Sequence, residues 1–66
     1  MSANDDAREA RRRLAVAVRA ACLEAARAAY EEAAIAGLCH EGAAEVALDA
    51  IRTVDVEALA RELDEQ

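Results

Sequence analysis

Apolar and polar residues follow one another along the first half of the chain with the period of an α-helix. Residues 7–36 contain neither Gly nor Pro and are dominated by Ala, Arg, Glu and Leu, which are strong helix formers. Gly37 follows, and glycine is the commonest residue just past a helix end. Asp6 and Glu9 have the spacing of a capping box. The pattern predicts one long helix from Asp5 or Asp6 to the residue before Gly37, with residues 1–5 disordered.

This long helix is predicted to carry two apolar stripes, from side chains placed at about 100° per residue. The wider stripe consists of Leu14, Val18, Ala21, Cys22, Ala25, Ala28, Ala29 and Ile35. The second stripe, on nearly the opposite side, consists of Val16, Leu23, Tyr30 and Ala34. Glu24, Arg27 and Glu31 lie between them at spacings that favour ion pairs. We therefore expect the helix to be covered on two sides.

Two shorter helices are predicted after Gly37. Residues 39–42 are interpreted as a connector, and Ala43 to Arg52 as a second helix with an apolar face. Asp55 is the predicted N-cap of a third helix from Val56 to about residue 65. The expected fold class is all-α: one long helix followed by two short helices packed back on it, as a single three-helix domain spanning residues 1–66.

The composition predicts a thin core. Of the 66 residues 20 are Ala, while the larger apolar residues are six Leu, five Val, two Ile and one Tyr, without Phe or Trp. A chain this short buries too little surface to be very stable alone, so we expect a homodimer. The candidate interface residues are Leu14, Val16, Val18, Leu23 and Tyr30. Tyr30 has a second interpretation, as part of the intramolecular core.

Charge is distributed unevenly along the chain, whose formal net charge is −6. Residues 1–30 carry six Arg against four acidic residues, or +2, and residues 31–66 carry two Arg against ten acidic residues, or −8. Antiparallel long helices in a dimer would bring these halves together. The run Arg11–Arg13 could contact a polyanion, but its members point to different sides of a helix. We expect no general binding of nucleic acid, which requires a net basic surface.

The remaining compositional features bear on source and location. Every basic residue other than one His is Arg, which together with the Ala content indicates a bacterial genome of high GC content. No apolar run approaches the ~20 residues that span a bilayer, and no export signal opens the chain. The expectation is a cytoplasmic protein that does not enter a membrane.

Cys39, His40 and Glu41 form the densest group of chemically active side chains. Cys39 and His40 could bind zinc, although a structural zinc site needs four ligands, which only two chains would supply. The other interpretation is that Cys39 packs as a small apolar residue while His40 lies at the negative end of the long helix. Cys22 is roughly 20 Å away along that helix, so we expect free thiols. No catalytic residue and no cofactor is predicted.

Residues 29–52, AYEEAAIAGLCHEGAAEVALDAIR, carry a further signal. They resemble short bacterial helical proteins of unassigned function with the pattern G-L-C-x-E-G…E-x-A-x-x-A-I-R, some of them loosely labelled acetyltransferases. The resemblance covers about a third of the chain and carries over no catalytic residue. It implies one structural unit that contains Gly37, Leu38, Cys39, Glu41, Gly42, Glu45 and Arg52.

These observations predict a small protein–protein interaction module, an adaptor or regulatory subunit that acts as a homodimer and binds a further, unidentified protein. The first alternative is a metal-binding or redox module that uses Cys39 and His40. The second is a small enzyme with its site at the dimer interface, since one chain of this size has no room for an ordinary substrate pocket.

Overall fold

The computed structural model describes residues 2–65 and contains three helices. They are α1, Ala3–Ile35; α2, His40–Arg52; and α3, Val56–Asp64. The described residues contain no strand. The all-α prediction is confirmed, and so is the order of one long helix followed by two short ones.

Helix α1 begins earlier than its sequence pattern predicted. The Ser2 hydroxyl accepts a hydrogen bond from the Asp5 backbone N–H at 3.3 Å. The Ser2 carbonyl accepts from the N–H groups of Asp5 and Asp6 at 3.2 and 3.3 Å. Ser2 is therefore the N-cap, with the two aspartates in the positive first turn of the helix. Residues 3–5, expected to be disordered, belong to the helix; the same expectation for Met1 lies outside the described residues.

Helix α1 ends at Ile35, one residue earlier than predicted, and Gly37 follows the helix end as the sequence indicated. This glycine has a φ of 98°, a left-handed conformation that L side chains rarely adopt. The Leu38 N–H donates to the Ala33 carbonyl at 3.0 Å and the Gly37 N–H to the Ala34 carbonyl at 3.1 Å. This pair of bonds is the Schellman motif, which satisfies the last carbonyls of the helix.

Helix α2 begins at His40, which corrects the predicted connector over residues 39–42. Cys39 is extended, with φ −69° and ψ 167°, and forms the N-cap. Its carbonyl accepts from the Ala43 N–H at 2.9 Å. Glu41 suits the positive first turn of the helix. Gly42, predicted to belong to that connector, is helical and lies beside the Leu38 side chain.

Helix α3 begins at Val56, as its sequence predicted. The Asp55 carboxylate accepts a hydrogen bond from the Ala58 N–H at 2.9 Å, so Asp55 is its N-cap. Helix α2 ends just before, at Arg52. Thr53 satisfies carbonyls there, because its N–H and its hydroxyl both donate to the carbonyl of Asp49, at 3.1 and 3.2 Å.

The described chain divides into two compact units, and α1 contributes one half to each. The hairpin unit, residues 20–54, contains the second half of α1, the Gly37 turn and α2. The terminal unit comprises the first half of α1, up to Arg19, and α3, from Asp55 onward. Among the described residues only Ala33 and Ala43 are buried, at 8% and 1% exposure. Both lie in the hairpin unit, which therefore holds the small core.

Candidate interaction surface

Most large apolar side chains remain accessible to solvent. Eight of them in the described chain are more than a third exposed: Val16, Leu23, Ile35, Leu38, Val46, Leu48, Ile51 and Val56. Six of the eight belong to the hairpin unit. Isolated exposed apolar residues are normal, but such a concentration on two short helices is typical of a surface that another molecule covers.

The large apolar side chains of the hairpin unit are exposed because α2 packs through smaller residues. Its inner line consists of alanines, with Ala43 buried and Ala47 and Ala50 half-buried. Alanine lets two helices approach closely but removes little apolar area from water. The larger Leu48 and Ile51 lie outside that line, and Leu48 is 59% exposed. Helix α2 thus packs through its small side chains and leaves its large ones exposed to solvent.

The five predicted interface residues fall into two groups. Val16 and Leu23 are 43% and 67% exposed, and so are accessible to a partner. Leu14 and Val18 are half-buried in the terminal unit, where they line one open depression together with Val56 and Ala60 of α3. Tyr30 is half-buried in the hairpin unit. The structure therefore leaves two of the five on an open surface.

Tyr30 pairs with His40 across the α1–α2 turn. The Tyr30 hydroxyl and His40 Nδ1 are 2.6 Å apart, which is a hydrogen-bond distance. The two rings meet edge to face, with centroids 5.7 Å apart. This side-chain contact fixes the start of α2 against the last turns of α1. No sequence pattern predicted this contact, because it depends on the direction that the chain takes after the turn.

The proposed metal ligands lie at the start of α2 instead of on a loop. Cys39 is exposed and has no side-chain hydrogen bond to the helix that it caps. His40 is the first residue of α2 and contacts Tyr30, in the last turns of α1. Both cysteines are free thiols. Within residues 2–65 no group of three His, Cys, Asp or Glu side chains is arranged to hold a metal.

Two exposed residues of the hairpin unit were missed as candidates. Leu48 lies about 100° around α2 from Ala47, away from the alanine line, so helical geometry could have identified it. Ile35 was assigned to the wide apolar stripe but is 87% exposed. It is the last residue of α1, and the chain turns at Gly37. Its exposure depends on the direction of that turn, which periodicity does not give.

Charged groups of α1 pair locally, as the spacing predicted. Arg27 forms ion pairs with Glu24 at 2.8 Å and with Glu31 at 3.0 Å. The hydrogen bond that Arg27 donates to Glu24, together with the charges of Glu24 and Glu31, raises the pKa of Arg27. In the terminal unit Arg11 and Arg13 line a depression with Asp64 of α3. The basic start of the chain thus lies beside acidic α3 of the same molecule.

Glu32 lies at an open groove of the hairpin unit, near the end of the wide apolar stripe. The groove has a volume of about 360 Å³ and is lined otherwise by apolar residues of α1, the turn and α2: Ala29, Ala33, Ala36, Leu38 and Val46. Glu32 itself is exposed. The apolar stripe therefore opens to water at this end of the helix.

Comparison of the chain with known protein families, with curated proteins and with solved structures finds no match. In the described chain no helix combines the length and the apolar character needed to cross a membrane.

Proposed function

We propose that this protein is a small helical interaction module that acts as a homodimer and binds a further protein as an adaptor or regulatory subunit. The observation that carries the proposal is the contrast in burial. Two alanines are the only buried residues described, while eight large apolar side chains remain more than a third exposed. A fold with so little core of its own is stabilised by association, because binding removes from water the apolar area that folding leaves exposed.

Charge narrows the class of partner. The formal net charge of −6 disfavours polyanions such as nucleic acid. Two arginines of α1 already have acidic neighbours, because Arg27 is paired with two glutamates and Arg11 lines a depression with Asp64. A protein surface with an apolar centre is the favoured partner, and the acidic hairpin unit suits basic groups around that centre.

Light scattering during size-exclusion chromatography tests self-association. At tens of micromolar we expect twice the chain mass of 7.0 kDa. Metal content is measured on the same anaerobically purified sample, with Cys39→Ser as the control. A monomer at every concentration would contradict the proposed dimer. Stoichiometric metal that is lost in Cys39→Ser would favour the metal-binding alternative.

The adaptor role needs a separate experiment. The tagged protein is used to capture partners from a lysate of its host, with Leu23→Gln compared with Ile35→Gln as a matched change at another exposed site. We expect a protein captured by the unchanged chain to bind one variant and not the other. The residue substituted in the variant that does not bind then locates the binding surface. Capture of no protein at all by the unchanged chain would argue against an adaptor.

A further inference from the structure

We infer that the further protein bound by this module presents a basic amphipathic helix, which docks in one groove of the hairpin unit. The name Glu32 groove is used for this site, which is lined by Ala29, Glu32, Ala33, Ala36, Leu38 and Val46. The inference rests on the proposed adaptor role, and adds to it the binding site and the chemistry of the partner.

The Glu32 groove is apolar except for one carboxylate. Three alanines of α1 line it together with Leu38 of the turn and Val46 of α2, which are 44% and 38% exposed. All of its residues belong to the hairpin unit. Its volume of about 360 Å³ is that of a small ligand site, but ligand sites enclose most of their ligand and this groove is open. It therefore suits a few apolar side chains of a partner protein.

The Glu32 carboxylate has no cation of its own chain beside it. The hairpin unit contains two arginines, and both are paired within their own helices, Arg27 with two glutamates of α1 and Arg52 with Asp49 of α2. In the part of the chain that the structure describes, Glu32 forms no ion pair. An apolar segment docked alone would take an ionised carboxylate out of water without compensation, which is costly. A partner with a cation beside its apolar side chains supplies that compensation.

The distribution of charge favours a different protein over a second copy as the source of that cation. The hairpin unit, residues 20–54, carries two Arg against six acidic residues, or −4. The terminal unit, residues 1–19 and 55–66, carries six Arg against eight acidic residues, or −2. Either unit of a second copy would bring further net negative charge to the Glu32 groove. A basic segment of another protein is the complementary occupant.

The architecture of the groove favours a helix as the docking element. A docking strand would need the unpaired backbone groups of a sheet edge, and residues 2–65 contain no strand. A groove lined by helices instead takes apolar side chains at the i, i+3 and i+4 spacing of a helix. Ile35, which is 87% exposed, follows Glu32 by three residues and is its neighbour on α1. The alkyl stem of a partner Arg or Lys can pack on Ile35 while its charged end reaches the Glu32 carboxylate.

Selection of peptides with the full chain tests the chemistry of the partner. The probe is a displayed library of helical peptides with Leu at positions i, i+3, i+4 and i+7 of one face and random residues at the flanking positions. We expect the selected peptides to be enriched in Arg and Lys at the flanking positions, and to bind less tightly as the salt concentration rises. Selection of acidic or neutral peptides, or of none, would overturn the inference.

Variants of the full chain then locate the site, with fluorescence anisotropy as the measure of peptide binding. Val46→Gln should raise the dissociation constant of a selected peptide by about tenfold, and Glu32→Gln by about fivefold. Glu45→Gln is the matched control. Glu45 is exposed and lies two residues from both Ala43 and Ala47, so it is on the opposite side of α2 from the buried alanine line. Removing its charge should leave the constant nearly unchanged.

Equal effects of Glu32→Gln and Glu45→Gln would mean that net charge alone attracts the peptide, and would overturn the Glu32 groove as its site. Far-ultraviolet circular dichroism checks that each variant stays helical. Nuclear magnetic resonance of the unmodified chain is unaffected if a substitution prevents folding. Added peptide should shift the methyl signals of Leu38 and Val46, and shifts of Leu23 in their place would overturn the groove.

Failure of this inference and failure of the adaptor role give different results. A host protein captured equally well by the unchanged chain and by Val46→Gln would leave the adaptor role standing and overturn the inference. Capture of no host protein by the unchanged chain, together with tight binding of a basic peptide in the Glu32 groove, would contradict the adaptor role and leave the preference of the groove standing.

Discussion

The hairpin unit and the terminal unit share helix α1, but different interactions stabilise each of them. The hairpin unit contains both buried residues, Ala33 and Ala43, a turn with a complete Schellman motif and the Tyr30–His40 pair. None of the described residues of the terminal unit is buried, and its helix ends rely on the caps at Ser2 and Asp55. Packing between helices stabilises one unit, while local capping has the larger part in the other.

The comparison also concerns function. The unit with the better core also presents six of the eight exposed large apolar side chains. A rigid hairpin holds such side chains in place, which lowers the entropy lost when a partner binds. The terminal unit, with its half-buried leucines and charged helices, has less to offer an apolar partner. We therefore expect changes in the hairpin unit to have the larger effects on both stability and association.

The largest expected effect comes from enlarging a buried alanine. Ala43→Leu places a large side chain where only 1% of the residue is exposed, and such overpacking costs about 1–3 kcal/mol of unfolding free energy. The matched change in the terminal unit is Ala60→Leu. Ala60 lines an open depression of about 190 Å³, so a larger side chain has room there and should be neutral or stabilising.

Urea unfolding at one fixed protein concentration measures both variants, because association also affects the apparent stability. Equal losses of stability at positions 43 and 60 would contradict the difference in packing between the two units.

Changing the two glycines to alanine should have effects of opposite sign. Gly37 has a φ of 98°, so Gly37→Ala forces a strained backbone and should cost about 1–2 kcal/mol. Gly42 is helical, and an added Cβ would lie 3.5 Å from Leu38 Cδ2, an ordinary contact. Gly42→Ala should therefore stabilise the chain by about 0.5–1 kcal/mol. Thermal unfolding followed by circular dichroism measures both; a destabilised Gly42→Ala would show that α2 does not begin at His40.

Removing the cap of α3 should affect the terminal unit alone. Asp55→Ala removes the acceptor for the Ala58 N–H and should cost about 1 kcal/mol. Asp55→Asn is the control, since asparagine caps a helix equally well. Amide hydrogen exchange should show faster exchange in α3 of the alanine variant, with α2 unchanged. Equal acceleration in α2 would indicate that the two units unfold together.

The smallest expected effect concerns the Tyr30–His40 pair. Tyr30→Phe removes the hydroxyl but keeps the ring, so it should cost about 0.5–1 kcal/mol of stability, the net value of one hydrogen bond. Chemical denaturation measures the loss, and His40→Gln, which can still accept from the hydroxyl, is the control. An unchanged midpoint in Tyr30→Phe would mean that the ring contact alone aligns the two helices.

The features that could be predicted from the sequence are those set by local chemistry. Gly37 and Asp55 were identified correctly because a left-handed glycine and an aspartate N-cap act on their immediate neighbours. The predicted start of α2 was wrong for two reasons. Glycine is a common turn residue, so Gly42 was placed in the connector, and cysteine is not a common N-cap residue, although the extended backbone of Cys39 caps the helix here. Ser2 was missed because Asp6 and Glu9 offered a more familiar pattern.

The candidate surface was harder to predict because it depends on contacts between helices. The two stripes of α1 follow from helical periodicity, and Val16 and Leu23 of the second stripe are indeed exposed. Periodicity cannot tell which stripe α2 covers, so the half-burial of Tyr30 and the exposure of Ile35 did not follow from it. The register of α2 against α1 is set by the Gly37 turn and by the Tyr30–His40 contact, which lie ten residues apart or less in sequence but require the folded turn.

The central claim, that a second copy covers apolar surface left open by folding, is tested most directly by sedimentation equilibrium of the unmodified chain over a wide range of concentrations. Twice the chain mass of 7.0 kDa is expected at tens of micromolar, with dissociation on dilution. A well-folded species of single-chain mass throughout that range would contradict the claim.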